Sequence, residues 1–253
     1  MFDLSNVTFL IPYRYDSPDR LRNVKACVSY LNAHFITNII VMEEAPERTL
    51  HDLPANVVYQ FVANPSPLMH RTRMLNDMCK MSKTPIIALM DTDVFFIPSQ
   101  LWDAQQLIRS NQFDMVYPYG GRFMNYIEPQ ISQIIVSNSL DGINESHGHQ
   151  IHPNSLGGCI LLDKSKFIEG GMENQNHISW GWEDNCRLQR FGTLGYRITR
   201  VPGILYHLNH ASSTNSANTS HEAYHNNQRE YFKVASMHRD QLQNYIRTWS
   251  WLK

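Results

Sequence analysis

Four cysteines in 253 residues, Cys27, Cys79, Cys159 and Cys186, are too few and too scattered for a disulfide framework or a paired-thiolate metal site. They read as small buried apolar residues, which fits a reducing compartment. Long apolar runs are missing too. No stretch approaches the roughly 18 residues of a membrane-crossing helix, and the start of the chain lacks a signal-peptide pattern, so the expectation is a cytoplasmic protein with no transmembrane segment. Charge is scarce: charged residues are 18% of the chain and the formal net charge is -1. That leaves no general electrostatic pull towards nucleic acid or an acidic membrane, and nucleic acid is not an expected partner. No glycine lies between Ile11 and Arg22, which excludes a glycine-rich phosphate loop after the first apolar run. No internal repeat is present.

What the chain has is a core. Apolar residues make up 42% of it, and its length fits one large α/β domain. Val7-Thr8-Phe9-Leu10-Ile11-Pro12-Tyr13 is a β-rich run that stops at a proline and reads as a first, central strand. Asp16-Ser17-Pro18-Asp19 carries cap and first-turn signals, and Leu21, Val24, Cys27, Val28 and Leu31 follow at helical spacing, predicting a helix over about 17–35. Strands are expected at 38–42 and 57–62, and strand, helix, strand is the signature of a parallel α/β sheet. Further helices are expected over 67–81, 98–111 and 164–169, and further strands at 113–117, 156–162, 195–202 and 204–207. Residues 119–136 are ambiguous. Residues 137–155 shift to Ser, Asn, Gly and His and are expected to form a long polar loop, a lid or binding loop. Its His147, His149 and His152 read as solvated before they read as metal ligands. Residues 211–220 read as a polar linker, and 221–253 as a helical tail whose Trp249-Ser250-Trp251-Leu252 end packs back on the domain.

The chain is organised around Ile87-Ala88-Leu89-Met90-Asp91-Thr92-Asp93-Val94-Phe95-Phe96-Ile97-Pro98. A buried strand ends in two carboxylates two residues apart. Paired carboxylates repel unless a cation sits near them, and hard divalent ions take few carboxylates and then bind substrate phosphates. Asp91 and Asp93 are therefore candidates for a metal–diphosphate site, against the plainer reading of a solvated turn. His70, Arg71 and Arg73 open a helix and are candidates for phosphate contacts. Gly157-Gly158 opens a strand where backbone can approach a ligand closely. Trp180-Gly181-Trp182 in a polar stretch is not a core pattern and suits stacking on sugar rings or a mobile flap.

In this order the motifs resemble those of the GT-A glycosyltransferases, and most of all the beta-1,4-galactosyltransferase and chondroitin-polymerase branch. Pro12-Tyr13-Arg14 is similar to its Pro-aromatic-Arg segment, and His70-Arg71-Thr72-Arg73-Met74-Leu75-Asn76 to its Arg-rich helix start. Asp91-Thr92-Asp93, Gly157-Gly158, Lys164-Ser165-Lys166-Phe167, Trp180-Gly181-Trp182-Glu183-Asp184 and a later His207 follow as the family has them, over residues 7–210. Two features depart from the family pattern: its two glycines before Glu-Asp are absent, and the tail after His207 differs.

The resemblance implies an α/β GT-A fold, a central mostly parallel sheet flanked by helices. It implies a catalytic domain at 1–210, and the residues of 211–253 read as a helical extension packed on it. It also implies a sugar moved from a nucleotide-sugar donor, most simply a UDP-sugar, to a hydroxyl of a saccharide or other acceptor. Asp93 is then a direct metal ligand, Asp91 serves the metal or the ribose, and His207 is the third ligand with His210 as the alternative. Such a His/carboxylate set suits Mn²⁺ better than Mg²⁺. Pro12, Tyr13, Arg14, Arg71, Arg73 and Trp182 are placed around the nucleotide. Asp184 is the general base and Glu183 holds the acceptor; with one base, inversion is expected. The alternatives are a catalytically silent saccharide or nucleotide-sugar binder and a sugar-nucleotide hydrolase.

Overall fold

The computed structural model describes residues 1–216 and 219–253. The chain begins with β1 (Phe2–Tyr13), buried without interruption over 7–13, and α1 (Pro18–His34). The helix starts where it does because Ser17 accepts from the Arg20 amide, Pro18 occupies the first turn and Asp19 faces the helix N-terminus. Two strands follow, β2 (Phe35–Ala45) and β3 (Val57–Ala63). Next come α2 (Arg71–Met81), β4 (Ile86–Met90), β5 (Val94–Phe95), α3 (Pro98–Arg109), β6 (Met115–Tyr117), β7 (Phe123–Tyr126) and α4 (Gln130–Ser137). The second half holds β8 (His149–His152), β9 (Cys159–Asp163), α5 (Lys164–Glu169), α6 (Glu183–Leu194), β10 (Ile198–Arg200), β11 (Leu205–Leu208), α7 (His221–Ala235) and α8 (Arg239–Arg247).

The main sheet has seven strands in the order β10-β6-β9-β4-β1-β2-β3. All neighbours are parallel except those of β9, which runs against β4 and β6. Strands covered on both faces are near-continuously apolar rather than alternating, as 86–90 is and as 7–13 is apart from Thr8. This is the expected fold class, a mostly parallel sheet flanked by helices. A second sheet, β5-β11-β7-β8, stands at the carboxyl end of β4. That end of a parallel sheet is where ligands bind in open α/β folds. Among the described residues no helix is long and apolar enough to cross a membrane.

Three local expectations change. The helix expected from Pro67 begins only at Arg71, because His70 at its cap has φ -99° and ψ 65°, outside the helical region; Met69 N donates to Asn215 Oδ1 (2.7 Å) and His70 N to Glu44 Oε1 (3.2 Å). The polar stretch 137–155 is not all loop: its exposed His149–His152 pairs with β7 as the edge of the second sheet. An edge strand exposed along its length has no apolar alternation to betray it. The ambiguous segment resolves into β7 and α4. At the other end, α7 and α8 contact α6, and Trp249 is buried with the Arg190 guanidinium 5.4 Å from its ring.

Gly158 shows how tightly the two sheets meet. Its φ is +85°, and a Cβ there would lie 2.3 Å from Leu205 Cδ1 of β11. Gly158→Ala therefore combines a left-handed backbone with overpacking, and is expected to cost about 2–4 kcal/mol. Urea unfolding followed by circular dichroism measures it.

Candidate active site

The Asp91-Thr92-Asp93 turn leaves β4 and enters β5, and β5 carries the chain into the second sheet. Asp91 N donates to Gly158 O (2.8 Å), fixing the turn against the glycine-led strand. Antiparallel pairing of β5 with β11 sets Val94 opposite His207, and Leu208 N donates to Asp93 O (2.8 Å). Residues more than a hundred positions apart are thereby brought together. His207 Nε2 lies 3.7 Å from Asp93 Oδ1 and His210 Nε2 lies 3.2 Å from Asp93 Oδ2. Asp93, His207 and His210 each offer one ligand atom, and the three atoms lie within 4.8 Å of one another.

The protons around these rings decide what the group can bind. His207 Nδ1 donates to Asn125 Oδ1 (2.6 Å), since the Asn125 amide nitrogen is directed at Asn209 Oδ1 (3.1 Å). Burial pushes the ring down to about 4 despite the neighbouring carboxylate, so at neutral pH His207 is uncharged. Its Nε2 then presents a lone pair towards Asp93, at a distance too long for a hydrogen bond. His210 Nδ1 likewise donates to Ala211 O (2.8 Å). Burial works against a proton on His210, but contact with Asp93 outweighs it and raises that ring. Burial alone would raise Asp93 as well, but His207, Arg20 and His210 together hold it far below the usual carboxylate range. A carboxylate facing imidazole nitrogens whose other nitrogens are already occupied is a donor set that fits a divalent cation of the Mn²⁺ kind.

Two carboxylates face the same cavity from the N-terminus of α6. Glu183 is buried, with Oε2 unpartnered, and burial followed by the charge of Asp184 pushes its carboxyl up. Asp184 Oδ1 accepts from Arg187 Nη1 (2.8 Å), and Arg187 Nε donates to Glu173 Oε1 (2.5 Å) inside the protein. Burial raises Asp184 too, against the pull of Arg187 and Arg71. Gly157 packs against this carboxylate: a Cβ on it would lie 2.8 Å from Asp184 Oδ2 and displace that oxygen. Trp182, at the cap of α6, has φ +70°, a conformation that favours glycine, and its ring stacks on Tyr231 of α7 at 5.0 Å. Trp180 is 42% exposed and stacks on Tyr224 at 6.2 Å.

One cavity of about 890 Å³ joins these parts. It is bordered by the Asp93/His207/His210 group, by Glu183 and Asp184, and by Pro12, Arg14, Arg71, Asp91 and Trp182. Two residues read from the sequence as nucleotide contacts do not border it. Tyr13 is buried behind Pro12. Arg73 pairs with Glu44 Oε2 (2.8 Å) on another side of α2. Positions two apart on a helix point about 200° apart, so Arg71 and Arg73 leave α2 on different sides. Asp91 pairs with Arg71 Nη2 (2.6 Å) and stands outside the three-residue group. Arg14 is tied to the carbonyls of Glu44 and Ser66 (3.1 and 2.5 Å). His149 and His152 border the cavity but belong to no metal-ligand group among the described residues. Arg20, Asn125 and Tyr224 were not singled out in the sequence. Their roles come from pairings between distant segments, and only the place of Arg20 in the first turn after Pro12-Tyr13-Arg14 hinted at one.

Residues 141–212 match a family model described as the N-terminal domain of galactosyltransferase. The match spans Gly157-Gly158, the Trp180–Asp184 segment, His207 and His210, so this part of the chain is similar to the galactosyltransferases. Two solved structures of beta-1,4-galactosyltransferase 7 from Drosophila align with it. One is the catalytic domain with xylobiose, the other a point variant with manganese, UDP-Gal and xylobiose. Each shows 14% identity and a TM-score of 0.49, over 79% of this chain and 65% of the solved chain. The chain thus spans somewhat less than two thirds of the length of these proteins. No curated protein matches it by sequence.

Proposed function

We propose that the chain is a metal-dependent glycosyltransferase. In this reading it moves a sugar from a UDP-sugar to a hydroxyl of a saccharide or other acceptor, with inversion at the anomeric carbon. The observation that carries it is a single cavity with an Asp/His/His group on one wall and two buried carboxylates on another. The volume, about 890 Å³, lies in the range of small-molecule sites. The galactosyltransferase match and the manganese and UDP-Gal held by the solved Drosophila protein support the same reading. Residues 1–210 are taken as the catalytic unit and 211–253 as an extension packed on it.

Asp93, His207 and His210 would hold the Mn²⁺. The bound ion supplies Lewis-acid stabilisation of the charge that develops on the leaving diphosphate. Arg71, fixed by Asp91, and Arg14 add positive charge beside the donor. Asp184 accepts the proton of the attacking hydroxyl. Arg187 holds one oxygen of Asp184 and leaves Oδ2, next to Gly157, for the acceptor. Glu183 orients the acceptor, and Trp180 offers an exposed ring face for a sugar. Nucleotide release from a panel of UDP-, GDP-, CMP- and dTDP-sugars, with and without Mn²⁺, tests the reading. Mn²⁺-dependent release from one UDP-sugar, accelerated by an acceptor, is the expected result, with proton NMR showing an inverted anomer. Release that no saccharide accelerates makes the chain a hydrolase. Binding without release makes it a silent relative.

The raised carboxyls set a pH dependence. A base must be unprotonated to act, so turnover is expected to rise with pH through an apparent value above that of an ordinary carboxylate, a property of the Glu183–Asp184 pair. Stability runs the other way. Folded Glu183 keeps its proton above 4.5, the value at which the unfolded carboxyl loses it, so the folded form binds more protons in that window and this group's contribution falls as pH rises. The melting temperature of the wild type relative to Glu183→Gln is expected to drop from pH 4.5 upwards.

A further inference from the structure

One cation in the cavity has no role in this scheme. Arg20 sits in the first turn of α1 and borders the cavity. Its Nη1 donates to Asp93 Oδ2 at 2.8 Å, and its Nε, 3.6 Å from Asp16 Oδ1, is buried and makes no hydrogen bond. Its backbone amide is pinned to Ser17 Oγ (3.3 Å), while the side chain has only that one short contact with an anion. The other arginines of the cavity are committed elsewhere: Arg14 to two backbone carbonyls and Arg71 to Asp91. Asp93 Oδ2 is also the oxygen approached by His210 Nε2 at 3.2 Å. A divalent cation held by Asp93, His207 and His210 draws on that same carboxylate. It and Arg20 then contend for one carboxylate carrying one negative charge, in a largely buried place where like charges repel strongly.

We propose that Arg20 is a charge-exchange residue for the donor: it pairs with Asp93, gives that carboxylate up to the divalent cation, and turns to the diphosphate of a nucleoside diphosphate sugar. The inference rests on the glycosyltransferase reading and adds to it the residue that links cation and donor. Arg20 opposes binding of the cation alone and favours binding of cation and diphosphate together. The two ligands are thus coupled through one side chain, and reciprocally so. A guanidinium suits the role because it stays charged and its planar fork matches two phosphate oxygens.

Isothermal titration calorimetry on the full chain tests this, with MnCl₂ alone and with UDP at saturating MnCl₂, for wild type, Arg20→Gln and Arg20→Lys. Arg20→Gln is expected to bind Mn²⁺ alone about 3–10-fold tighter and UDP about tenfold weaker or more, the size of ordinary coupling between sites. Arg20→Lys keeps the charge and loses the fork; its Mn²⁺ affinity is expected to stay near wild type while UDP weakens. A residue that merely props Asp93 in place gives a different result: Mn²⁺ alone binds more weakly in Arg20→Gln, or UDP is unaffected, and either outcome overturns the proposal. If Arg20→Gln fails to fold by circular dichroism, unchanged UDP affinity in Arg20→Lys overturns it. Absence of Mn²⁺-dependent UDP binding in the wild type overturns the underlying reading, whereas its presence with no effect of Arg20 overturns this inference alone.

Discussion

Asp93→Asn is expected to lower Mn²⁺-dependent nucleotide release by roughly 10³-fold. A catalytic cation supplies several kcal/mol of transition-state stabilisation, and about 1.36 kcal/mol is a factor of ten in rate. Asparagine keeps the shape of the side chain and loses its charge. The loss should therefore appear as a weaker Mn²⁺ affinity together with a lower kcat, and excess Mn²⁺ should restore only part of it. The fold should survive with a lowered melting temperature. Asp93 is buried and carries the pair with Arg20, and removing one member of a buried pair costs about 3–5 kcal/mol. Arg20 keeps 18% of its side chain in solvent, so the lower end of that range applies. Steady-state assays over a Mn²⁺ series, with melting curves on the same preparations, separate the two effects.

Asp184→Asn is expected to cut kcat by about 10²–10⁴-fold, the usual contribution of a positioned base, while donor KM and Mn²⁺ affinity stay close to wild type. The reason is geometric. Asp184 belongs to the α6 wall of the cavity and is not in the Asp93/His207/His210 group. Arg187 can still donate to an asparagine oxygen and retains Glu173, so the surroundings are kept. The acid limb of the pH–rate profile should disappear with the base. Glu183→Gln should instead raise acceptor KM. A variant pair in which Glu183→Gln removes the acid limb and Asp184→Asn leaves it would exchange the two assignments.

Much of the frame was legible because burial on both faces of the sheet leaves continuous apolar runs, as at 7–13 and 86–90, and because Ser17-Pro18-Asp19 spells out a helix start. The edges were harder to read. His149–His152 forms a strand through backbone pairing alone, with no buried side chain to mark it. The site divides along the same line. Asp91, Asp93, Glu183 and Asp184 stand at the ends of regular elements, where a carboxylate after an apolar run is conspicuous. Asn125 and Arg20 act through partners 82 and 73 residues away, and no local pattern encodes such a contact. Arg71 borders the cavity and Arg73 does not: a linear motif does not reveal which side of a helix each residue takes. The absent glycines before Glu183 also have a physical answer. Trp182 takes a backbone conformation that favours glycine, with its ring stacked on Tyr231 of α7, so the tail does part of the work of shaping the active-site loop.

In the proposed function, Asp93, His207 and His210 form a cation site that serves a nucleotide sugar. The most direct test is electron spin echo envelope modulation of the protein loaded with Mn²⁺ and UDP. Nitrogen modulation from two coordinated imidazoles is expected, reduced to one in either His207→Asn or His210→Asn, together with phosphorus coupling from UDP. Bound Mn²⁺ with an oxygen-only signal, unchanged by both histidine variants, would contradict it.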